Sequence, residues 1–122
     1  RLSTYTNMKY MAIGDPGVYQ LAQVLYNDPI IVQLTLSCAR ITDEGIYELS
    51  AILPYMHKLK YLDLSSNSFT DIGGIELSNV FMNHKTLRVI SLVGNRIGLK
   101  GICSIASAIV SSHIVLEEIN DE

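Results

Sequence analysis

Four glycines, Gly17, Gly45, Gly73 and Gly101, stand 28 residues apart. Self-similarity at a period of that length marks a chain of like supersecondary units. None of them can cover its own apolar face, so stability must come from stacking. The apolar frame keeps the same register. With Leu59 as position 1 of a unit, positions 1, 4, 6, 9 and 11 read Leu59, Leu62, Leu64, Asn67 and Phe69, and positions 15, 19 and 23 read Gly73, Leu77 and Phe81. One unit downstream they read Leu87, Ile90, Leu92, Asn95, Ile97, Gly101, Ile105 and Ile109. One unit upstream they read Ile31, Leu34, Leu36, Ala39, Ile41, Gly45, Leu49 and Leu53. A further step back is degenerate: Ser3 and Thr6 occupy positions that should be apolar, and Pro16 stands near a helix start, where proline is tolerated.

The chain therefore divides as one repeat domain over 1–122, with units at about 3–30, 31–58, 59–86 and 87–115. Residues 116–122 are expected to be a terminal cap or a truncated repeat. In that reading SSHIV carries one extra residue, Leu116 and Ile119 take positions 1 and 4, and Asp121 falls where leucine is expected.

Within each unit the periodicity switches. VQLTLS, YLDLSS and VISLVG alternate with period 2, which predicts short strands with Leu34 and Leu36, Leu62 and Leu64, and Ile90 and Leu92 on one inward face. Helical spacing follows in Ile46, Leu49 and Leu53, in Leu77 and Phe81, and in Ile102, Ile105 and Ile109. Thr42-Asp43 and Thr70-Asp71 sit where a helix needs a cap and an anion at its positive end. The glycine at position 15 would let the helix backbone approach the preceding turn.

This frame, LxxLxLxxNxI followed by G-xxx-L-xxx-L, resembles the leucine-rich repeat, and its 28-residue length resembles the ribonuclease-inhibitor-like subfamily. The resemblance covers about Ser3 to Val115. It implies an α/β solenoid of about four repeats, an arc with parallel strands on the concave face and helices on the convex face. It also places position 9 inside the arc beyond the strand, where backbone groups lose their sheet partners. An amide side chain carries both donors and acceptors, so Asn67 and Asn95 are expected to form a structural ladder that satisfies those groups. Ala39 and Met11 interrupt the ladder, so the N-terminal half must satisfy its backbone another way, such as through water.

Chemistry of other kinds is not visible. The net charge of −3 and the nine scattered Lys and Arg give no electrostatic footprint for nucleic acid. No apolar run approaches the roughly 20 residues of a membrane span, and no signal-peptide pattern stands at Arg1. There is no phosphate loop, zinc-type cysteine pair or nucleophile elbow. His57, His84 and His113 recur at positions 27, 26 and 27, but no carboxylate or thiol keeps register with them, so solvated loop histidines are expected rather than a metal centre. Cys38 and Cys103 lie two units apart, too far to bridge, and are expected to behave as small apolar residues in a reducing compartment. No cofactor, small-molecule substrate or enzymatic centre is expected.

Strand alternation sends positions 3, 5 and 7 to the concave surface. The rows are Tyr5, Gln33, Tyr61 and Val89; Asn7, Thr35, Asp63 and Ser91; and Lys9, Ser37, Ser65 and Val93. Gln33, Thr35, Tyr61, Asp63, Val89 and Ser91 are the candidate partner-binding residues, with Tyr61 as an aromatic anchor. Two other features stand out. Tyr19, Tyr47, Ile75 and Cys103 form a column at position 17, expected to pack helix on helix, and the last helix carries no charge from Gly101 to Ser112. That face is either small and polar or an interface.

The expected function is a non-catalytic protein-interaction module. Charged residues make up only 17 % of the chain, against roughly 25 % in ordinary domains, which tilts the reading towards a scaffold piece of a larger cytoplasmic assembly. Relatives of the repeat type point to a ciliary or cytoskeletal setting. Two alternatives follow from the resemblance. A Ran-activator-like GTPase regulator would need an exposed arginine and an acidic tail. Arg40 and Arg96 share position 10, but Ser68 lies between them, and the tail has only Glu117, Glu118, Asp121 and Glu122. The other alternative is the sensor repeat region of an innate-immune receptor.

Overall fold

The structure, a computed structural model, describes residues 4–27 and 30–117. Four strand–helix units follow one another: β1 (Tyr5–Asn7) and α1 (Gly14–Asn27), β2 (Gln33–Thr35) and α2 (Asp43–Ile52), β3 (Tyr61–Asp63) and α3 (Asp71–Phe81), β4 (Val89–Ser91) and α4 (Leu99–Ile109). A single 3-10 turn, Leu53–Tyr55, extends α2 through Pro54, and a fifth strand, β5 (Val115–Leu116), ends the sheet. The five strands are parallel and lie in chain order. Tyr5, Gln33, Tyr61 and Val89 stand side by side, so the sheet register equals the sequence period.

That equality explains the core. Positions 4 and 6 of units two to four, Leu34, Leu36, Leu62, Leu64, Ile90 and Leu92, are fully buried beneath the sheet. Ile31, Leu59 and Leu87 close it on the strand-entrance side, Ile41 and Phe69 on the exit side, and Leu49, Leu77 and Ile105 reach in from the helices. The first unit is thinner: Thr6 replaces the position-4 leucine and is nevertheless buried.

The end of the array differs from the sequence reading. Val115 pairs with Val89 and Leu116 with Ile90, so Leu116 holds position 4 of the fifth unit rather than position 1. The fourth unit is therefore short, not one residue long. The shortening comes where α4 gives way to a tight turn, with the Ser112 hydroxyl donating to Ile109 O at 2.9 Å and accepting from Ile114 N–H at 3.0 Å. Glu117 N–H then donates to Ile90 O at 2.9 Å and continues the ladder. Ser3, Glu118, Ile119, Asp121 and Glu122 lie outside the described residues.

Candidate functional site

Two side-chain ladders tie the repeats together and so position the concave face. Asn67 is buried behind β3. Its Oδ1 accepts from Ala39 N–H and Ile41 N–H, both at 3.0 Å. Its Nδ2 lies within donor reach of Leu36 O and Leu64 O at 3.0 Å and Ser65 O at 3.2 Å. One amide thus serves its own turn and the turn of the preceding repeat. Ala39 needs no asparagine of its own at these N–H groups, because the next repeat supplies the acceptor. Asn95 repeats half the pattern: Nδ2 donates to Leu64 O at 2.9 Å and Leu92 O at 3.1 Å, while its buried Oδ1 has no partner. At Met11 the turn closes with backbone bonds instead, Met11 N–H to Met8 O and Gly14 N–H to Ala39 O.

The second ladder went unread in the sequence. Asp43 Oδ1 accepts from Thr70 N–H at 2.8 Å and Gly73 N–H at 2.9 Å, and its Oδ2 accepts from the Thr70 hydroxyl at 2.7 Å. Asp71 Oδ1 does the same for Gly98 N–H at 2.7 Å and Gly101 N–H at 2.9 Å. Asp15 takes Thr42 N–H at 2.8 Å and the Thr42 hydroxyl. Each aspartate sits in the first turn of its own helix and caps the start of the next one, satisfying N–H groups that have no partner within that helix. The position-15 glycine makes room for this carboxylate and, in every unit, for the side chain at position 11: at Gly17, where no carboxylate stands, a Cβ would lie 2.5 Å from Ile13 Cβ. A Cβ on Gly73 would lie 2.7 Å from Asp43 Oδ1, and one on Gly101 2.6 Å from Asp71 Oδ1. The spacing of Asp15, Asp43 and Asp71 was available as a signal, since it shares the glycine period.

On the face these ladders support, the register aligns Tyr5, Gln33, Tyr61, Val89 and Val115 in one row and Asn7, Thr35, Asp63 and Ser91 in the next. Glu117 extends the second row through its bond to Ile90 O. Gln33, Tyr61, Asp63 and Val89 are half-buried and keep open surface. Thr35 and Ser91 are on the same face but only 8 % and 6 % exposed, so they have little surface to offer a partner. Both are short side chains recessed between longer neighbours, Asn7 and Asp63 for Thr35, Asp63 and Glu117 for Ser91. Ser37, in the third row, is buried too. Asp63 also works locally, its Oδ1 accepting from Ser65 N–H at 2.9 Å, as Asn7 Oδ1 does from Lys9 N–H. Burial, then the carboxylates of Asp63 and Glu117, raise the Tyr61 phenol above its usual pKa, so it remains a neutral hydrogen-bond donor.

Away from this face several expectations need correction. His84 is not a solvated loop residue. It is half-buried, its Nε2 lies 3.0 Å from Leu53 O, and its Nδ1 accepts from Leu87 N–H at 3.2 Å and Thr86 N–H at 3.4 Å. The bonding fixes a neutral ring with the proton on Nε2, and burial holds its pKa below the usual histidine value. His57 and His113 are exposed. No group of three or more potential metal ligands occurs among the described residues. Of the position-17 column expected to pack helix on helix, Tyr19 and Tyr47 stand exposed, Ile75 is half-buried, and Cys103 is an exposed free thiol rather than a packed apolar residue. Arg40 and Arg96 are exposed on the strand-exit loops. Among the described residues, no helix is long and apolar enough to cross a membrane.

A Leucine Rich repeat family model matches residues 31–50, 55–78 and 83–106, more than half of the chain. The chain belongs to the leucine-rich-repeat family. Those matches fall on units two to four, where the apolar frame and both ladders are most complete. Among solved structures the leucine-rich-repeat fold seen here is similar to the chain described as leiomodin-1 actin-binding site 2. The TM-score is 0.81 at 17 % identity, over 93 % of this chain and 68 % of that one. A comparison with curated protein sequences finds no match.

Proposed function

We propose that this leucine-rich-repeat chain is a non-catalytic protein-binding module whose concave sheet around Tyr61 and Asp63 receives the partner. The observation that carries this reading is the row structure. Half-buried Tyr61 sits at the centre of a five-residue row with Asp63 beside it, ringed by the small recessed side chains Thr35 and Ser91. An aromatic held on a rigid strand and surrounded by groups that exclude water without filling space is the anatomy of a binding hot spot. The low charge of the chain supports a scaffold role inside a larger assembly. The 28-residue unit supports the ribonuclease-inhibitor-like subfamily. Two free cysteines support a reducing, cytoplasmic setting. The similar leiomodin chain is described as an actin-binding site, which makes actin the first partner to test and supports a cytoskeletal setting.

Capture of monomeric actin by the immobilised chain tests the reading. Tyr61→Ala should weaken capture by about thirtyfold, the loss typical of a central anchor. Asp63→Asn keeps the acceptor for Ser65 N–H while removing the charge, and should weaken it less. Ser104→Arg with Ser107→Arg on α4 should change little. Capture abolished by the α4 arginines and untouched by Tyr61→Ala would move the site to the last helix. No capture by the parent chain would remove actin.

A further inference from the structure

The helix layer has an acidic, aromatic groove that the concave-face reading does not use. Helices α1, α2 and α3 carry Asp15, then Asp43, Glu44 and Glu48, then Asp71 and Glu76, and not one Lys, Arg or His. All nine Lys and Arg of the chain lie outside these three helices. Where the first turns of the helices meet, a groove of about 580 Å³ opens between Tyr19, Tyr47 and Ile72. That volume falls within the range of ordinary ligand clefts, about 300–1,000 Å³. Its apolar walls are open to solvent: Tyr19 is 52 % exposed, Tyr47 61 % and Ile72 70 %.

The groove's carboxylates divide into two kinds. Asp15 and Asp43 are occupied by the repeat-to-repeat caps described above. Glu44 and Glu48 line the same groove, and their side chains have no hydrogen bond or ion pair among the described residues. Helix N-termini oppose a cation, but each counts for only about half a positive charge. Three of them leave the four carboxylates with a clear negative excess. Two exposed tyrosine rings beside two unpaired glutamates fit a cation carried on an apolar stem, because a ring can attract the head through its quadrupole and cover the methylenes.

We infer that this groove docks an arginine- or lysine-bearing segment of another protein, with the cationic heads at Glu44 and Glu48 and the stems against Tyr19 and Tyr47. The site is on the opposite layer from Tyr61, so it is independent of the concave-face reading.

The test is fluorescence anisotropy of a short labelled peptide alternating arginine with leucine, titrated with the full chain, and of its counterpart with glutamate for arginine. The arginine peptide should saturate and the glutamate peptide should not. Glu44→Gln with Glu48→Gln should weaken binding about tenfold, and Tyr19→Ser with Tyr47→Ser about fivefold. Tyr61→Ala and Asp63→Asn should leave it unchanged. All these residues keep exposed surface, so thermal melting should confirm that each variant is folded. The inference is overturned if the parent chain does not bind the arginine peptide, or if the tyrosine pair has no effect while salt alone abolishes binding, which would mean diffuse attraction. Loss of binding in Tyr61→Ala would also overturn it. So would a dimer in sedimentation that Glu44→Gln with Glu48→Gln disperses, since the occupant would then be a second copy of the chain.

Discussion

The boundary between the first two repeats and the boundary between the second and third are built from the same strand register but not the same side-chain bonds. Between units two and three, Asp43 accepts three hydrogen bonds from Thr70 and Gly73, and Asn67 reaches back to Leu36, Ala39 and Ile41. Between units one and two, Asp15 holds Thr42 alone, and no asparagine stands at position 9 of the second unit. The turns record the difference. Arg40 and Ala12, next to Ala39 and Met11, adopt left-handed backbone with φ of 62° and 49°. Ser68 and Arg96, next to the asparagines, are not among the residues with positive φ. A position-9 amide organises its turn without a second left-handed residue, and without it the chain accepts strain that L-residues ordinarily avoid. After unit four neither device is present among the described residues. Leu99 holds the aspartate position and is 78 % exposed.

The sharpest way to break this comparison is at the two asparagines. Asn67→Ala orphans buried N–H and C=O groups in two turns, at about 1–3 kcal/mol each before any water enters, so a net loss of about 2–4 kcal/mol is expected. Asn95→Ala removes two bonds but also an unpartnered buried Oδ1. Its loss should be about 1 kcal/mol. Denaturant midpoints for the two variants check this, and equal shifts would mean that the amides are not doing different jobs.

The aspartate ladder comes next. Asp43→Ala should cost about 2 kcal/mol and Asp15→Ala less, because Asp15 makes fewer bonds. Gly73→Ala should be comparably damaging in the parent, since the new Cβ would displace the Asp43 carboxylate. In an Asp43→Ala background the same change should cost less, because the tightest contact is gone and alanine is favoured over glycine in a helix by about 1 kcal/mol, while the 3.1 Å approach to Phe69 remains. A double-mutant cycle measures the coupling, and additive losses would show that the glycine is not there for the carboxylate.

Position 10 sharpens the comparison with opposite signs. Arg40→Gly should stabilise by about 0.5–1 kcal/mol by relieving the left-handed conformation, whereas Ser68→Gly should destabilise by a few tenths through the freer unfolded chain. Losses of the same sign in thermal melts would separate the turn strain from the missing amide.

The smallest effect is on pH. His84 has a folded pKa below its unfolded value, so the unfolded chain takes up the proton first as pH falls. The stability it contributes is present above about pH 6.5 and is lost below that, down through its folded value. His84→Gln should flatten that part of the stability profile, and an unchanged slope between pH 7 and 5 would assign it to another group.

Much of this was legible because the relevant signals are local or periodic. Alternation within six residues set which side chains go under the sheet, and the constant spacing of Leu34, Leu62 and Ile90 set which residues lie side by side. Asn67 could be read because a polar residue inside an apolar frame has few other uses. Asp43 could be read only as an anion at its own helix start, since its bonding partners are at Thr70 and Gly73, and nothing within its own repeat shows that it reaches them. Three of the four residues at position 8, Tyr10, Cys38 and Ser66, adopt left-handed backbone without being glycine, so composition could not mark that turn. Their N–H groups are tied to Ser37 O, Ser65 O and Val93 O of the next repeat, and it is this stacking that makes the conformation tolerable.

The sequence alone determined the repeat, its parallel register, the buried frame and the amide at its edge, because a fixed period leaves one way to align strands and one face to bury. The tertiary structure decided what depends on neighbours. It fixed where β5 enters the register, which concave residues are recessed, why His84 is neutral and bonded, and that Tyr19 and Tyr47 face solvent. Each of these follows from side chains brought together across repeats, and a reading confined to one repeat at a time does not contain the other half of the contact.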